Sequence, residues 1–256
     1  MSTPTNVLIT GASRGLGKGF LQRYLLKPNH TVIAANRDPS GASSAALAEL
    51  PRAQGSRLIL VKLDADAETD AQAAVAELRA SHGIEHLDIV IANAGIAYVY
   101  PTVADLRIAD LEAHMRTNLH GLVRVYQATR PLLRNSSLSP VFAPVGSSVG
   151  SISKQLSVPN AAYAPTKAAA GWMTSRIALE DGDWLTCFAL VPGLVETDLG
   201  RAGIEGLGLT MEAAAEWLVD FDVSVDGMVA VMDGAAKDKA RIGGKMVSHE
   251  GEILPW

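Results

Sequence analysis

Cysteine and aromatic residues are scarce in this chain: one Cys, four Phe and four Trp in 256 residues. A lone Cys187 excludes an intramolecular disulfide. Its place in the apolar run WLTCFALVP marks it as a buried, inert thiol. No stretch approaches the roughly 18 consecutive apolar residues that a membrane helix needs. The opening MSTPTNVLIT has neither the basic start nor the long apolar segment of a secretory leader. A cytoplasmic protein with no membrane partner is expected. Basic charge is not in excess either. Lys and Arg number 22 against 27 Asp and Glu, a net charge of −5, so no nucleic-acid partner is expected. Only His82 and His86 of the six histidines fall four apart, and Gly83 interrupts the helix between them, so no metal site is expected. There is no internal repeat, and the most polar stretch, RNSSLSP at 134–140, reads as a loop and not as a linker.

Aliphatic residues are plentiful: hydrophobic residues make up 48% of the chain, enough for a large core. They are grouped. Short apolar runs at 6–10, 31–36, 57–64, 87–95, 139–147 and 186–193, with a weaker one at 245–249, have the composition of buried strands. Alanine-rich segments with helical spacing separate them, among them 68–80 and 104–133. Strands alternating with helices predict one α/β domain over 1–256, a doubly wound Rossmann fold. About seven parallel strands should carry helices on both faces. Ligands of such sheets bind beyond the carboxyl ends of the strands, where the strand order reverses.

The first such end reads TGASRGLG, with Gly11, Gly15 and Gly17 between a strand and a helix. Bare backbone there allows a tight turn and close approach of a pyrophosphate, and the helix start offers free N–H groups to it. Gly11, Ser13, Arg14, Gly15, Leu16 and Gly17 are therefore candidate cofactor residues. The second strand ends AANRDP. A carboxylate at position 36 would favour a free ribose hydroxyl and repel a 2′-phosphate. Asn36 does not repel it, and Arg37 offers it a planar fork of donors. Arg14 is a second candidate for the same phosphate, while Asp38 partly neutralises Arg37. The expected cofactor is NADPH/NADP+.

Tyr163 and Lys167, in AAYAPTKAAAG, are four apart and share a helix face. A ketone needs a hydride on carbon and a proton on oxygen. The phenol, with an ordinary pKa of about 10, is a poor acid or base at neutral pH. An ammonium about 4 Å away, at an effective dielectric near 20, favours the phenolate by roughly 4 kcal/mol. That is about three pKa units. Desolvation opposes part of it. Pro165 between the two is tolerated only at a helix start, so this helix should begin near 160–162. The upstream VGSSVGS supplies a hydroxyl to hold the substrate oxygen.

Seven pieces in order, TGASRGLG at 10–17, LD at 63–64, NAG at 93–95, TNLHG at 117–121, SS at 147–148, YAPTK at 163–167 and PGLVET at 192–197, span the chain. With them the sequence resembles the short-chain dehydrogenase/reductase family. The stretches HTVIAANRDP and GEILPW look most like its fungal norsolorinic acid ketoreductase-type and bacterial C-factor-like members. The resemblance implies that Tyr163 donates the proton and Lys167 lowers its pKa and binds the nicotinamide ribose. It implies that Asn118 holds a water in the proton relay, that Asn93 and Gly95 line the cofactor and support the central strand, and that Asp64 contacts adenine. Thr10 would brace the glycine turn, and Pro192, Gly193, Val195 and Thr197 would shape the nicotinamide pocket. The family serine usually lies three residues before a glycine and about thirteen before the tyrosine. Ser147 is three before Gly150 but 16 before Tyr163; Ser148 is nearer in spacing to the tyrosine but misplaced relative to the glycine. Ser147 is preferred. The sequence has Ala92 where the family's Asn-Asn-Ala-Gly has its first Asn, and the functional Asn93 is kept.

Residues 198–217 follow, rich in Leu, Ile, Met and Gly, and read as an apolar substrate lid made mobile by Gly203, Gly206 and Gly208. A plain surface helix packed on the core fits the same pattern. Tyr98 and Tyr100 can add aromatic walls. The expected activity is reduction of a small apolar carbonyl compound, such as a polyketide ketone of secondary metabolism, by NADPH. An alcohol dehydrogenase working in the oxidative direction and a non-catalytic NADP(H)-binding sensor or scaffold are the alternatives. Family resemblance favours a homodimer or homotetramer built partly through helices 106–133 and 163–179.

Overall fold

The computed structural model describes residues 4–256. The elements in chain order are β1 (Thr5–Thr10), α1 (Gly15–Leu25), β2 (His30–Asn36), α2 (Ala42–Ala45), β3 (Arg57–Lys62), α3 (Asp70–His82), β4 (Ile89–Ala92), α4 (Ile108–Met115) and α5 (Gly121–Arg134). They continue with β5 (Val141–Pro144), α6 (Ala164–Asp181), β6 (Thr186–Cys187), β7 (Ala189–Val191), β8 (Leu194–Val195), α7 (Asp198–Gly206), β9 (Leu218–Val219), α8 (Phe221–Ile242), β10 (Met246–Ser248) and β11 (Ile253–Leu254).

Six strands form a parallel sheet in the order β3-β2-β1-β4-β5-β6. The expected sixth run is broken at Phe188. Its second half, β7, pairs with β10 in parallel, and β11 closes that small sheet antiparallel. A bond from the Gly146 N–H to the Leu190 carbonyl (2.8 Å) ties β7 to the end of β5. The weak run at 245–249 thus forms the seventh strand, but it joins across a break and not within the main sheet.

Strand residues alternate between two cores. Leu8, Ile33, Val61, Val90 and Phe142 face α3, α5 and α6; Val7, Ile9, Ile91 and Phe188 face α1 and α8. Burial on both faces explains why the strands are apolar without alternation. Cys187 is fully buried in the first core, and burial pushes its thiol well up, so it is inert as expected. Among the described residues, no helix is long and apolar enough to cross a membrane.

The single helix expected over 104–133 is two. A π-helical turn, Arg116–His120, separates α4 from α5 and carries Asn118. Such a one-residue expansion re-aims a side chain that a regular helix would misplace. Here it turns Asn118 toward the loop after β4. The order reversal lies between β1 and β4, and the glycine turn and Asn93 follow those two strands.

Candidate active site

At the first strand end the backbone makes the turn the glycines predict. Gly11 and Gly15 have φ of +65° and +53°. Gly17 is required by close approach: a Cβ there would lie 2.3 Å from the Gly11 carbonyl oxygen and 2.6 Å from Asn93 Nδ2. The Asn93 amide donates to the carbonyls of Thr10 (2.9 Å) and Gly11 (3.2 Å). Thr10 Oγ1 accepts the N–H groups of Asn93 and Ala94, each at 3.0 Å. The bracing expected of Thr10 and Asn93 is therefore in place. The helix this turn opens has no side-chain cap and no acidic residue in its first turn. Its free N–H groups and positive dipole end suit a phosphate group.

Other candidates sit differently from expectation. Asn36 is buried, and its amide is spent on the Ala12 N–H (2.8 Å) and Ser44 Oγ (3.1 Å). It shapes the turn from behind and does not face a ligand. Arg37 is exposed and, among the described residues, has no ion-pair partner. Asp38 does not hold it. The Asp38 carboxylate accepts from Ser40 and Gly41, and these bonds, led by the Ser40 hydroxyl, lower its pKa. Arg14 pairs with Asp198 at 2.6 Å, joining the glycine turn to the first residue of α7. Both side chains are about three-quarters exposed, 75% and 74%, so this pair is worth little and is readily exchanged. Asp64 accepts the Asp66 N–H (3.0 Å) at the end of β3.

The Tyr163–Lys167 pair stands at the start of α6. Tyr163 is the N-cap and Pro165 lies in the first turn, so the helix begins slightly later than expected but with the proline where it is tolerated. Lys167 Nζ donates to the Val145 carbonyl (2.7 Å) and lies 5.6 Å from the centre of the Tyr163 ring. Ser147 Oγ accepts the Val149 N–H at 3.4 Å, and its hydroxyl favours the Tyr163 phenolate; Ser148 is exposed. The close packing of the Ser147 segment on α6 depends on Gly150, where a Cβ would lie 2.8 Å from Lys167 backbone carbon. That is a physical reason for a glycine three residues after the serine.

The charge balance differs from the simple pair argument. Burial pushes Tyr163 well up, against the smaller opposing pull of Ser147, and Lys167 is pushed down to about 8 by burial. The lysine does not offset the desolvation of its neighbour, because both groups have left water and the ammonium is turned to a carbonyl.

Asn118 is buried and committed. Its Oδ1 accepts the Ile96 N–H (2.8 Å), and its Nδ2 donates to the Ile96 carbonyl and to Thr166 Oγ1, both at 3.0 Å. Thr166 in turn donates to the Tyr163 carbonyl at 2.7 Å. Sequence reading missed Thr166. Its signal was present: a threonine three residues into a helix can bond back to the first turn. A cavity of about 10 Å³ lined by Asn118, Lys167 and Thr10 has room for roughly one water. Gly95 borders Asn118 and the Lys167 ammonium.

Pro192, Gly193, Val195 and Thr197 lie between β7 and the start of α7. Ser224 donates to the Pro192 carbonyl (2.8 Å), and Gly193, with φ +81°, lies against Val219. Val195 is buried in the β8–β9 pair, and Thr197 caps α7 through the Gly200 N–H (3.1 Å). The 198–217 segment is a short helix with Ile204 buried, followed by a turn. Gly206 is exposed, and a Cβ added at Gly206 or Gly203 would meet the Tyr100 side chain. A wider groove of about 760 Å³, lined by Val103, Ile152 and Leu156 among others, runs beside the start of α6.

A glycine turn with an uncapped helix at the order reversal, facing a buried Ser-Tyr-Lys cluster, is the architecture of a dinucleotide-dependent oxidoreductase. The known proteins agree. The short chain dehydrogenase family model matches residues 5–208. A norsolorinic acid ketoreductase of Dothistroma septosporum is 38% identical over 260 residues, covering 100% of this chain and 94% of the relative. The norsolorinic acid ketoreductase of Aspergillus parasiticus is 39% identical over 256 residues, 98% of this chain and 91% of the relative. The crystal structure of an NADPH-bound carbonyl reductase from chicken fatty liver superposes with a TM-score of 0.85 at 29% identity, covering 100% of both chains. The chain belongs to the short-chain dehydrogenase/reductase family and is an oxidoreductase acting on CH–OH or C=O groups. The family implies a nicotinamide cofactor.

Proposed function

We propose that this protein is an NADPH-dependent ketoreductase of small apolar ketones, with polyketide-type compounds of secondary metabolism as its substrates. The observation that carries the reading is the placing of Ser147 and Lys167 around Tyr163, across from the uncapped glycine turn. The turn residues Gly11, Ser13, Arg14, Gly15, Leu16 and Gly17 would hold the pyrophosphate. Asp64 would meet the adenine, and Asn93, Gly95, Pro192, Gly193, Val195 and Thr197 would border the nicotinamide. When bound, the reduced nicotinamide supplies the hydride. Ser147 holds the carbonyl oxygen and Tyr163 protonates it. Lys167 keeps its ammonium beside the phenol and, with the small cavity next to Asn118, carries the replacement proton inward.

The reductive direction follows from the proton inventory. A Tyr163 pushed up by burial holds its proton throughout the neutral range, as a donor to a carbonyl must. Lys167, at about 8, is charged below that pH and neutral above it. The expected pH profile of kcat/KM for reduction is flat below about pH 8 and falls above it. Stopped-assay rates in a constant-ionic-strength buffer series check this, and a profile that rises through pH 8 contradicts it.

The cofactor preference rests on Arg37 and Arg14. Arg37 is free to meet a 2′-phosphate, and Arg14 gives up only a solvated pair to do so. A charge-assisted bond contributes about 1.5–3 kcal/mol, or roughly 10- to 100-fold in affinity. NADPH should therefore bind at least about tenfold more tightly than NADH, and Arg37→Asp should erase the difference. Fluorescence titration of both nucleotides against both proteins tests the reading, followed by a carbonyl panel. If neither nucleotide binds, the functional assignment fails. Exposed Trp172 and Leu179 on α6 support self-association through that helix.

A further inference from the structure

Tyr100 follows β4 and is clamped from two sides. Its ring lies in a slot on α7. A Cβ at Gly206 would come 2.0 Å from Tyr100 Cδ2, and one at Gly203 would come 3.4 Å from its hydroxyl. These two positions, three apart on one helix face, have no side chain where the ring sits. On the other side, the Pro101 carbonyl accepts the Ala161 N–H at 3.0 Å, two residues before Tyr163. The chain thus fixes Tyr100 between the lid helix and the start of the catalytic helix.

The hydroxyl is poorly employed for a half-buried group. Among the described residues its one hydrogen-bond partner is the Ala97 carbonyl at 3.4 Å, beyond the 2.5–3.0 Å usual for an O–H···O bond. Burial raises its pKa, so it remains a neutral donor at physiological pH. The same phenol is close enough to act electrostatically on Tyr163, and the Ala161–Pro101 bond holds its segment beside the start of α6. A rigidly held donor with so weak a partner, beside the proton donor of the reaction, is suited to a second oxygen on the substrate.

Building on the ketoreductase reading, we propose that Tyr100 is a specificity-determining residue whose hydroxyl donates to a second oxygen of the substrate. The site then prefers ketones bearing an oxygen substituent next to the reacting carbonyl over otherwise identical ketones without one. A site built to bond an oxygen discriminates against analogues that lack it, because its own donor is left unpaired.

The matched pair 1-tetralone and 8-hydroxy-1-tetralone, reduced by wild type and by Tyr100→Phe, tests this. Phenylalanine keeps the ring in the Gly206 slot and removes only the hydroxyl. Wild type should favour the hydroxylated ketone by roughly tenfold or more in kcat/KM, chiefly through KM. Tyr100→Phe should abolish that preference, lowering kcat/KM for the hydroxylated ketone toward the value for 1-tetralone. Gly206→Val should displace the ring and slow both ketones. The inference is overturned if wild type shows no preference, if Tyr100→Phe slows both ketones alike, or if Gly206→Val changes neither. It is also overturned, alone, if wild type reduces other ketones of the panel but neither tetralone. If no carbonyl of the panel is reduced, the ketoreductase reading falls as well.

Discussion

Tyr163→Phe is expected to lower kcat/KM for ketone reduction about a thousandfold, within the 10²–10⁴ range for loss of a general acid. That corresponds to roughly 4 kcal/mol of transition-state stabilisation. The ring is buried, 9% exposed. Phenylalanine therefore fills the same space, and only the proton donor is lost. Lys167 keeps its bond to the Val145 carbonyl, and the glycine turn is untouched. Nucleotide affinity should thus stay within about twofold, since binding at the turn uses backbone N–H groups and not the phenol. Steady-state kinetics with equilibrium titration separate the two effects. A variant that retains more than about a tenth of the activity would show that another group supplies the proton. A wild type that binds nucleotide yet turns over no carbonyl would support a sensor in place of an enzyme.

Asp181→Ala is expected to destabilise the fold by about 3 kcal/mol, the lower end for removing one partner of a buried ion pair. At roughly 2–4 °C per kcal/mol for a chain of this size, Tm should fall by about 6–12 °C. Asp181 ends α6 and is buried. It accepts both Arg130 nitrogens at 2.6 Å, the Trp184 indole N–H at 3.2 Å and the Tyr126 hydroxyl. This cluster staples α5 to α6, the helix that carries Tyr163 and Lys167. Its loss leaves a buried phenol without a partner and a guanidinium without its carboxylate. The Arg130 hydrogen bonds, above all, hold the carboxyl down to about 2. A depressed carboxylate stabilises the fold above its ordinary pKa near 4 and loses that effect as pH falls through about 2. Between pH 4 and 2, wild type should therefore lose stability faster than Asp181→Ala. Thermal melts followed by circular dichroism across that range check both statements. A shift under about 1 kcal/mol, the scale of an exposed pair, would place the cluster among surface ion pairs.

Much of the site was legible because it is local. A glycine between a strand and a helix, a tyrosine and lysine four apart, and a proline near a helix start all report conditions within a few residues of themselves. The strands were legible for a similar reason: burial on both faces removes the polar alternation and leaves plain apolar runs. What the sequence did not show is which groups the fold brings to each residue. Asn36 looked like a cofactor residue from its position after β2, yet the fold brings Ala12 and Ser44 to its amide and closes it off. Arg14 meets an aspartate 184 residues later. The 104–133 segment read as one helix because its composition is uniform. The break at Arg116–His120 follows from Asn118 reaching across to Ile96 and Thr166.

By itself, the sequence determined the fold class, the alternation of strand and helix, the glycine turn after the first strand and the tyrosine and lysine that share the start of one helix. Each depends on periodicity, backbone freedom or short spacing, which a chain carries in its own order of residues. The tertiary structure decided that burial and not the neighbouring ammonium governs the Tyr163 phenol, and that Gly203 and Gly206 leave room for the Tyr100 ring. Desolvation and steric fit depend on everything packed around a group, and that surrounding exists only once the chain has folded.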